Sequence, residues 1–263
     1  MKVRALADGG TFAELHGAGP LVAVLCHGWG RNRQDLSALA DAVASRSGGT
    51  VAALDLPGFG AAPEPAQPIG SAGYADLVAE ALRELATTSG TGTAPVLFGH
   101  SFGGRVALCC AAAHPHLMSG LVLAGVPLLR TDGAARRRPP MPFRWARWLR
   151  RRGLLSERRM EALRQRYGSA DYRAASGVMR QILVRVIAED YTAELTRLTC
   201  PVSFVWGDDD SAAPLDQARR AAGLVKDLRH FDHFEGVGHD VHHLRTEEVA
   251  GAIVELVPAG GHL

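Results

Sequence analysis

What the sequence lacks narrows it first. No apolar run approaches the length of a membrane span, and the opening MKVRALADGG has no apolar stretch of the kind a secretory signal needs. Cysteine is sparse, and Cys26, Cys109, Cys110 and Cys200 have no metal-ligand spacing. Cys109 and Cys110 are adjacent on an expected helix and point apart, so the four read as buried thiols in a reducing, cytoplasmic compartment. There is no internal repeat. There is almost no net charge either: 29 basic and 27 acidic side chains give +2, which singles out no partner.

What is present supports one large α/β domain, or one domain with an insertion, because 47% of the 263 residues are hydrophobic. The near-neutral total conceals an asymmetry. From Arg130 to Arg173 there are 14 arginines and 4 acids, leaving 15 basic and 23 acidic residues elsewhere. Such a segment is expected to be specialised.

Short apolar runs alternate with helical periodicity. Residues 2–7 and 11–15 predict two strands around Asp8-Gly9-Gly10. Buried strands are expected at 21–26 and 50–54 and further strands at 95–98, 121–124, 201–206 and 228–234, with helices at 34–46, 74–85, 105–113, 214–222 and 244–256. This alternation implies a mostly parallel sheet with helices on both faces. The rhythm stops after Pro127 and returns near Cys200. Residues 1–127 and 200–263 are therefore expected to form the core. Residues 128–199 are expected to form an arginine-rich helical cap, or lid, at the carboxyl edge of the sheet, where ligands bind.

The chemistry centres on Gly99-His100-Ser101-Phe102-Gly103-Gly104, between an apolar strand and a helix. Strand, Gly-x-Ser-x-Gly, then helix is the pattern of a nucleophile elbow. Gly99 and Gly103 keep side chains from colliding across so tight a turn. A serine hydroxyl needs a base, and the base needs an orienting acid. Both are expected after later strands. The loop Gly207-Asp208-Asp209-Asp210 offers the acid, with Asp210 preferred and Asp208 second. Gly238-His239 offers the base, while His242 and His243 read as surface helix residues. His230, His233, His239 and His242 lack the spacing of a helical zinc pair, so no metal is expected, and no cofactor. Acyl transfer also needs backbone N–H donors for an oxyanion. Phe102 and Trp29 are the candidates, with Gly28 allowing close approach and His27 bracing the loop.

Taken together, His27-Gly28-Trp29-Gly30, Asp55-Leu56-Pro57-Gly58-Phe59-Gly60, the Ser101 motif, Gly207-x-x-Asp210 and Gly238-His239 resemble, in order and spacing, the α/β-hydrolase fold superfamily. The resemblance implies an eight-stranded sheet with strand 2 antiparallel and a helical cap between strands 6 and 7. It implies a serine hydrolase cleaving an ester or thioester of a mainly hydrophobic acyl substrate. The alternatives are carbon–carbon cleavage or a lyase reaction with the same residues, and a non-catalytic small-ligand-binding protein. Ser101 disfavours dehalogenases and epoxide hydrolases, which carry aspartate at the elbow.

In the cap, Met141, Trp145, Trp148 and Leu149 share one face of an amphipathic helix, and Arg144, Arg147 and Arg151 another. Trp145 and Trp148 are candidate pocket residues. The arginine face is either a solvated surface or a dock for an acidic carrier protein or anionic substrate. No nucleic acid and no stable membrane insertion are expected.

Overall fold

The chain enters through a tight hairpin and then winds back and forth across one sheet. The computed structural model describes residues 2–89, 93–130, 145–146, 148–150, 152–156, 158–160, 162 and 170–258. Strands β1 (Lys2–Leu6) and β2 (Thr11–His16) are antiparallel, and Ala7 and Asp8 adopt φ of 49° and 50° to make the turn. Then follow β3 (Leu21–Cys26), α1 (Ser37–Ser47), β4 (Thr50–Asp55), α2 (Ser71–Ser89), β5 (Val96–His100), α3 (Phe102–Ala113) and β6 (Gly120–Ala124). Helices α4 (Ala170–Ala174), α5 (Gly177–Val186) and α6 (Thr192–Arg197) precede β7 (Val202–Gly207). The chain closes with α7 (Leu215–Ala222), β8 (Leu228–Phe234), α8 (Val241–Leu244) and α9 (Thr246–Val254).

The eight strands lie in the order β1-β2-β4-β3-β5-β6-β7-β8. Only β2 runs against its neighbours; every other pairing is parallel. The chain steps from β3 outward to β4, then crosses back to place β5 on the other side of β3. The loops leaving β3 and β5 therefore diverge, and a crevice opens at their carboxyl ends.

Burial explains why these runs become central strands. Every residue of β3, β5, β6 and β7 is buried, so each strand needs an apolar side chain on both faces. Val24 and Cys26 face the layer of α2, α3 and α6, while Ala23 and Leu25 face the layer of α1 and α9. In contrast, β8 is an exposed edge, with only Phe231 and Phe234 half-buried. Gly48 stops α1 in a left-handed conformation, φ 67°, its N–H bonded to Ala44 O.

Several boundaries differ from expectation, four of them for a visible reason. Helix α2 starts at Ser71 because the Glu189 carboxylate accepts from its N–H, which caps the end from another segment. Helix α3 begins at Phe102, directly off the elbow. Asp55, expected in a loop, closes β4, fully buried. The single helix expected at 244–256 is broken at Arg245, whose backbone lies at φ −133°, ψ 46°.

Helix α5 buries Ile182 and Val186 in the core, and α6 packs Leu195 beneath α3. Met141, Arg144, Arg147 and Arg151 lie outside the described residues. Among the described residues no helix is long and apolar enough to cross a membrane.

Trp206 ties the sheet to the loop beyond it: fully buried, it donates from Nε1 to Ala213 O at 2.6 Å. Replacing Trp206 with Phe removes that bond and leaves a void, and is expected to cost about 1–3 kcal/mol. Urea denaturation measures this; an unchanged midpoint would contradict the tie.

Candidate active site

A sharp turn sets the geometry. Ser101 sits at φ 50°, ψ −112°, a region non-glycine residues rarely occupy, between β5 and α3. Its N–H donates to Ala124 O on the adjacent strand, and its carbonyl accepts from Gly104 and Arg105. The glycines permit the turn for two different reasons. A Cβ on Gly99 would run into Gly103 O and Gly104 Cα, across the turn itself. A Cβ on Gly103 would strike the backbone of Cys26 and His27, so that glycine lets the helix approach the end of β3.

Three segments meet at Ser101. His239 lies beyond β8, and its Nε2 is 2.9 Å from Ser101 Oγ. Its Nδ1 is 2.8 Å from Asp210 Oδ2. Asp210 is 3% exposed, and its Oδ1 accepts from the N–H groups of Ala212 and Ala213, both at 2.8 Å. One carboxylate oxygen is thus fixed by amides and the other is aimed at the imidazole. An acid at Nδ1 puts the ring proton there and leaves Nε2 as the lone pair facing the hydroxyl. Of the three consecutive aspartates, only Asp210 meets His239; Asp208 pairs with His233 Nδ1 at 2.7 Å. The four buried cysteines are free thiols, and burial pushes Cys109 and Cys110 up to about 12, so both stay protonated at neutral pH.

The loop after β3 forms the facing wall. His27 donates from Nδ1 to Gly28 O at 2.7 Å and accepts at Nε2 from Leu56 N–H at 3.1 Å. A Cβ on Gly28 would come within 3.6 Å of Ser101 Cβ, so this backbone lies against the serine. The rings of Trp29 and Phe102 meet edge to face at 5.2 Å, with Phe59 against Trp29 and Tyr74 against Phe102. Among the described residues, no acceptor faces the N–H of Trp29 or of Phe102. Trp145 and Trp148 are 61% and 46% exposed, with their ring centroids 6.2 Å apart and Arg152 over the Trp148 ring.

Other residues, given no role in the sequence, support the site. Gly125, at φ 56°, leaves only the space a side chain would take from Asp210 and His239: its Cβ would lie 3.1 Å from Asp210 Oδ2. The glycine closing a strand at the ligand edge is the signal that could have marked it. Asp55 accepts from the N–H groups of Arg33 and Ala61 and pairs with the Arg33 guanidinium, which ties the loop after β4 to the loop after β3. His242, expected on the surface, is buried and bonds Asp35 at 3.2 Å; exposed His243 bonds the same carboxylate at 3.1 Å. His100 donates from Nε2 to His239 O at 3.0 Å. His230, His233, His239 and His242 each face a different carboxylate, Glu255, Asp208, Asp210 and Asp35.

Residues 23–252 match the family model for the alpha/beta hydrolase family. No curated protein matches in sequence. Among solved structures, the chain is similar to an esterase from Exiguobacterium antarcticum, with a TM-score of 0.71, 22% identity, and 96% of this chain and 97% of that one covered. It is similar to a monoacylglycerol lipase from Paleococcus ferrophilus, with a TM-score of 0.65, 20% identity, and coverages of 94% and 99%. It is also similar to a meta-cleavage product hydrolase from Pseudomonas fluorescens, with a TM-score of 0.67, 18% identity, and 97% of each chain covered.

The buried imidazoles set a pH dependence. Burial lowers the pKa of His27, His242 and, with help from neighbouring rings, His100, so the folded chain keeps them neutral. Unfolded, they protonate near pH 6.5. Their contribution to stability is complete above about pH 6.5 and is lost as the pH falls. Burial alone would raise Asp35, but hydrogen bonds from His242 and His243 outweigh it and hold the carboxyl well below its usual range. That contribution persists until the pH drops below about 4. Urea midpoints are expected to be flat from pH 8 to 7 and to fall from about pH 6.5 downward; a flat profile to pH 5 contradicts neutral burial.

Proposed function

The chain belongs to the alpha/beta hydrolase family, and from that premise we propose that it is a serine hydrolase that cleaves an ester or thioester through an acyl-enzyme. The observation that carries this reading is the chain of contacts from Ser101 Oγ to His239 Nε2 and from His239 Nδ1 to a buried Asp210 whose other oxygen is already saturated. Ser101 Oγ attacks the substrate carbonyl carbon while His239 Nε2 takes its proton. Asp210 stabilises the imidazolium that forms. The carbonyl oxygen becomes an oxyanion beside the N–H groups of Trp29 and Phe102, which have no other acceptor among the described residues, and Phe102 opens α3, whose positive end favours that charge. His239 then returns the proton to the leaving alcohol or thiol. Water, activated by the same imidazole, releases the acid and restores Ser101.

The aromatic wall of Trp29, Phe59, Phe102 and Tyr74 supports an apolar acyl group. Residues 128–199 are proposed to cover the site. Three ties support this: Met179 of α5 packs against Gly58, Arg105 donates to Val186 O at 2.7 Å, and Glu189 caps α2. A cavity of about 250 Å³ between this segment and the Asp210 loop is lined by Arg105, Arg130, Leu129, Ala212 and Gln217. Arg105 and Arg130 share that lining with the Glu189 carboxylate, so the cavity carries both signs of charge. The free thiols agree with a reducing compartment.

Ser101→Ala is expected to abolish p-nitrophenyl ester turnover and fluorophosphonate labelling; labelling that persists excludes Ser101 as nucleophile. Asp210→Asn should lower kcat by about 10³–10⁴-fold, whereas Asp208→Asn stays close to wild type; equal losses would reject the assignment of the acid. Trp145→Ala should shift acyl chain-length preference across an ester panel, and an unchanged profile would remove that residue from the pocket.

A further inference from the structure

Against the backbone of His239 lie two buried imidazoles whose remaining nitrogen atoms have no partner among the described residues. His100 directs Nε2 at the carbonyl oxygen of His239, which only accepts, so its proton is on Nε2 and Nδ1 is a lone pair. His242 directs Nε2 at the carboxylate of Asp35, so its proton is also on Nε2 and its Nδ1 is also a lone pair. His100 and His242 are 2% and 1% exposed, and neither Nδ1 has a hydrogen-bond partner among the described residues. The two rings lie 4.1 Å apart. A carboxylate oxygen of Asp240 and a ring nitrogen from each histidine lie within 4.8 Å of one another. Gly28 leaves the approach to His100 Nδ1 open, since a Cβ there would sit 3.0 Å from that atom.

We propose that His100, Asp240 and His242 bind a divalent transition-metal cation of the zinc type. Two unpartnered ring nitrogens and a carboxylate oxygen gather here as three acceptors, and the donor that reaches them is Arg31, 3.4 Å from each oxygen of Asp240. A water molecule has two protons and can satisfy two of them; a cation satisfies all three. Two imidazoles and one carboxylate, with a fourth position for water, form a nitrogen-rich set that suits zinc and its borderline neighbours, not the oxygen cages of calcium or magnesium. The outer contacts are those a ligating histidine needs: each ring donates its other N–H, one to a backbone carbonyl and one to a carboxylate. The neighbouring group of Asp35, His242 and His243 is the weaker candidate, because there the Nε2 protons are already engaged with Asp35. Entry is from the Asp240 side. That carboxylate is 43% exposed and its nearest cation is the Arg31 guanidinium at 3.4 Å, which an incoming ion must displace. No spacing rule finds such a site, since its ligands come from the elbow and from the segment after β8.

The test is calorimetric titration of the chelator-treated chain with zinc chloride alone, with cobalt(II) absorption as a second reading. One ion per chain is expected. Asp240→Asn should weaken binding at least tenfold, and His242→Gln should abolish it. Arg31→Ala, which removes the competing charge, should tighten it several-fold. Asp240 and Arg31 are partly exposed, so their variants keep the test decisive if His242→Gln fails to fold. No saturable binding, or binding unchanged by Asp240→Asn, overturns the site. Loss of binding in His243→Ala with none in Asp240→Asn moves the ion to Asp35 and overturns it equally. None of these readings depends on hydrolysis, so the proposed reaction and the proposed ion can fail separately.

Discussion

The turn at Ser101 is the constraint around which the rest of this structure is arranged. A serine held at φ 50° costs about 1–3 kcal/mol, and only surroundings that leave no alternative keep it there. Those surroundings are visible. Strand β5 is buried on both sides, α3 starts at the next residue, and Gly99, Gly103 and Gly104 each sit where a Cβ would strike a neighbour. The hydroxyl therefore has one place to be. The loops after β3, β6, β7 and β8 gather around that place because parallel strands deliver all their carboxyl ends to one edge.

The central strands and the elbow were legible because they depend on short-range rules. Buried parallel strands need unbroken apolar runs, and the turn needs glycines at fixed offsets. Asp210 could be preferred over its neighbours but not resolved from the sequence, since what separates Asp208 from Asp210 is which of them reaches His233 and which reaches His239 across 25 and 29 residues. Helix ends were less legible for the same reason. The start of α2 is capped by Glu189, 118 residues away, and no local pattern encodes that contact. Gly125 went unrecognised, and Asp55 was read only as the head of a motif, because a glycine at a strand end and an aspartate before a turn show no role until their neighbours are known.

His242 shows how far tertiary context can override a local reading. On a four-residue helix its sequence neighbours are Val241 and His243, and it reads as a surface residue. Packing instead places it between His100 and Asp35, so one imidazole links the residue preceding the serine to a carboxylate at the start of the α1 region. Burial then keeps that ring and His100 neutral. The backbone of His239 is thereby held by an uncharged ring.

The exposed edge strand has a dynamic consequence. His239 hangs from the loop after β8, the least buried strand, whereas Ser101 hangs from β5, the centre of the sheet. Opening of a protein is graded, with edges fraying well before cores. Heat or mild denaturant therefore separates the His239 imidazole from the Ser101 hydroxyl while most of the sheet is still paired. The lifetime of that contact is set by the holding time of one peripheral ribbon, and it is shorter than the lifetime of the fold that surrounds it.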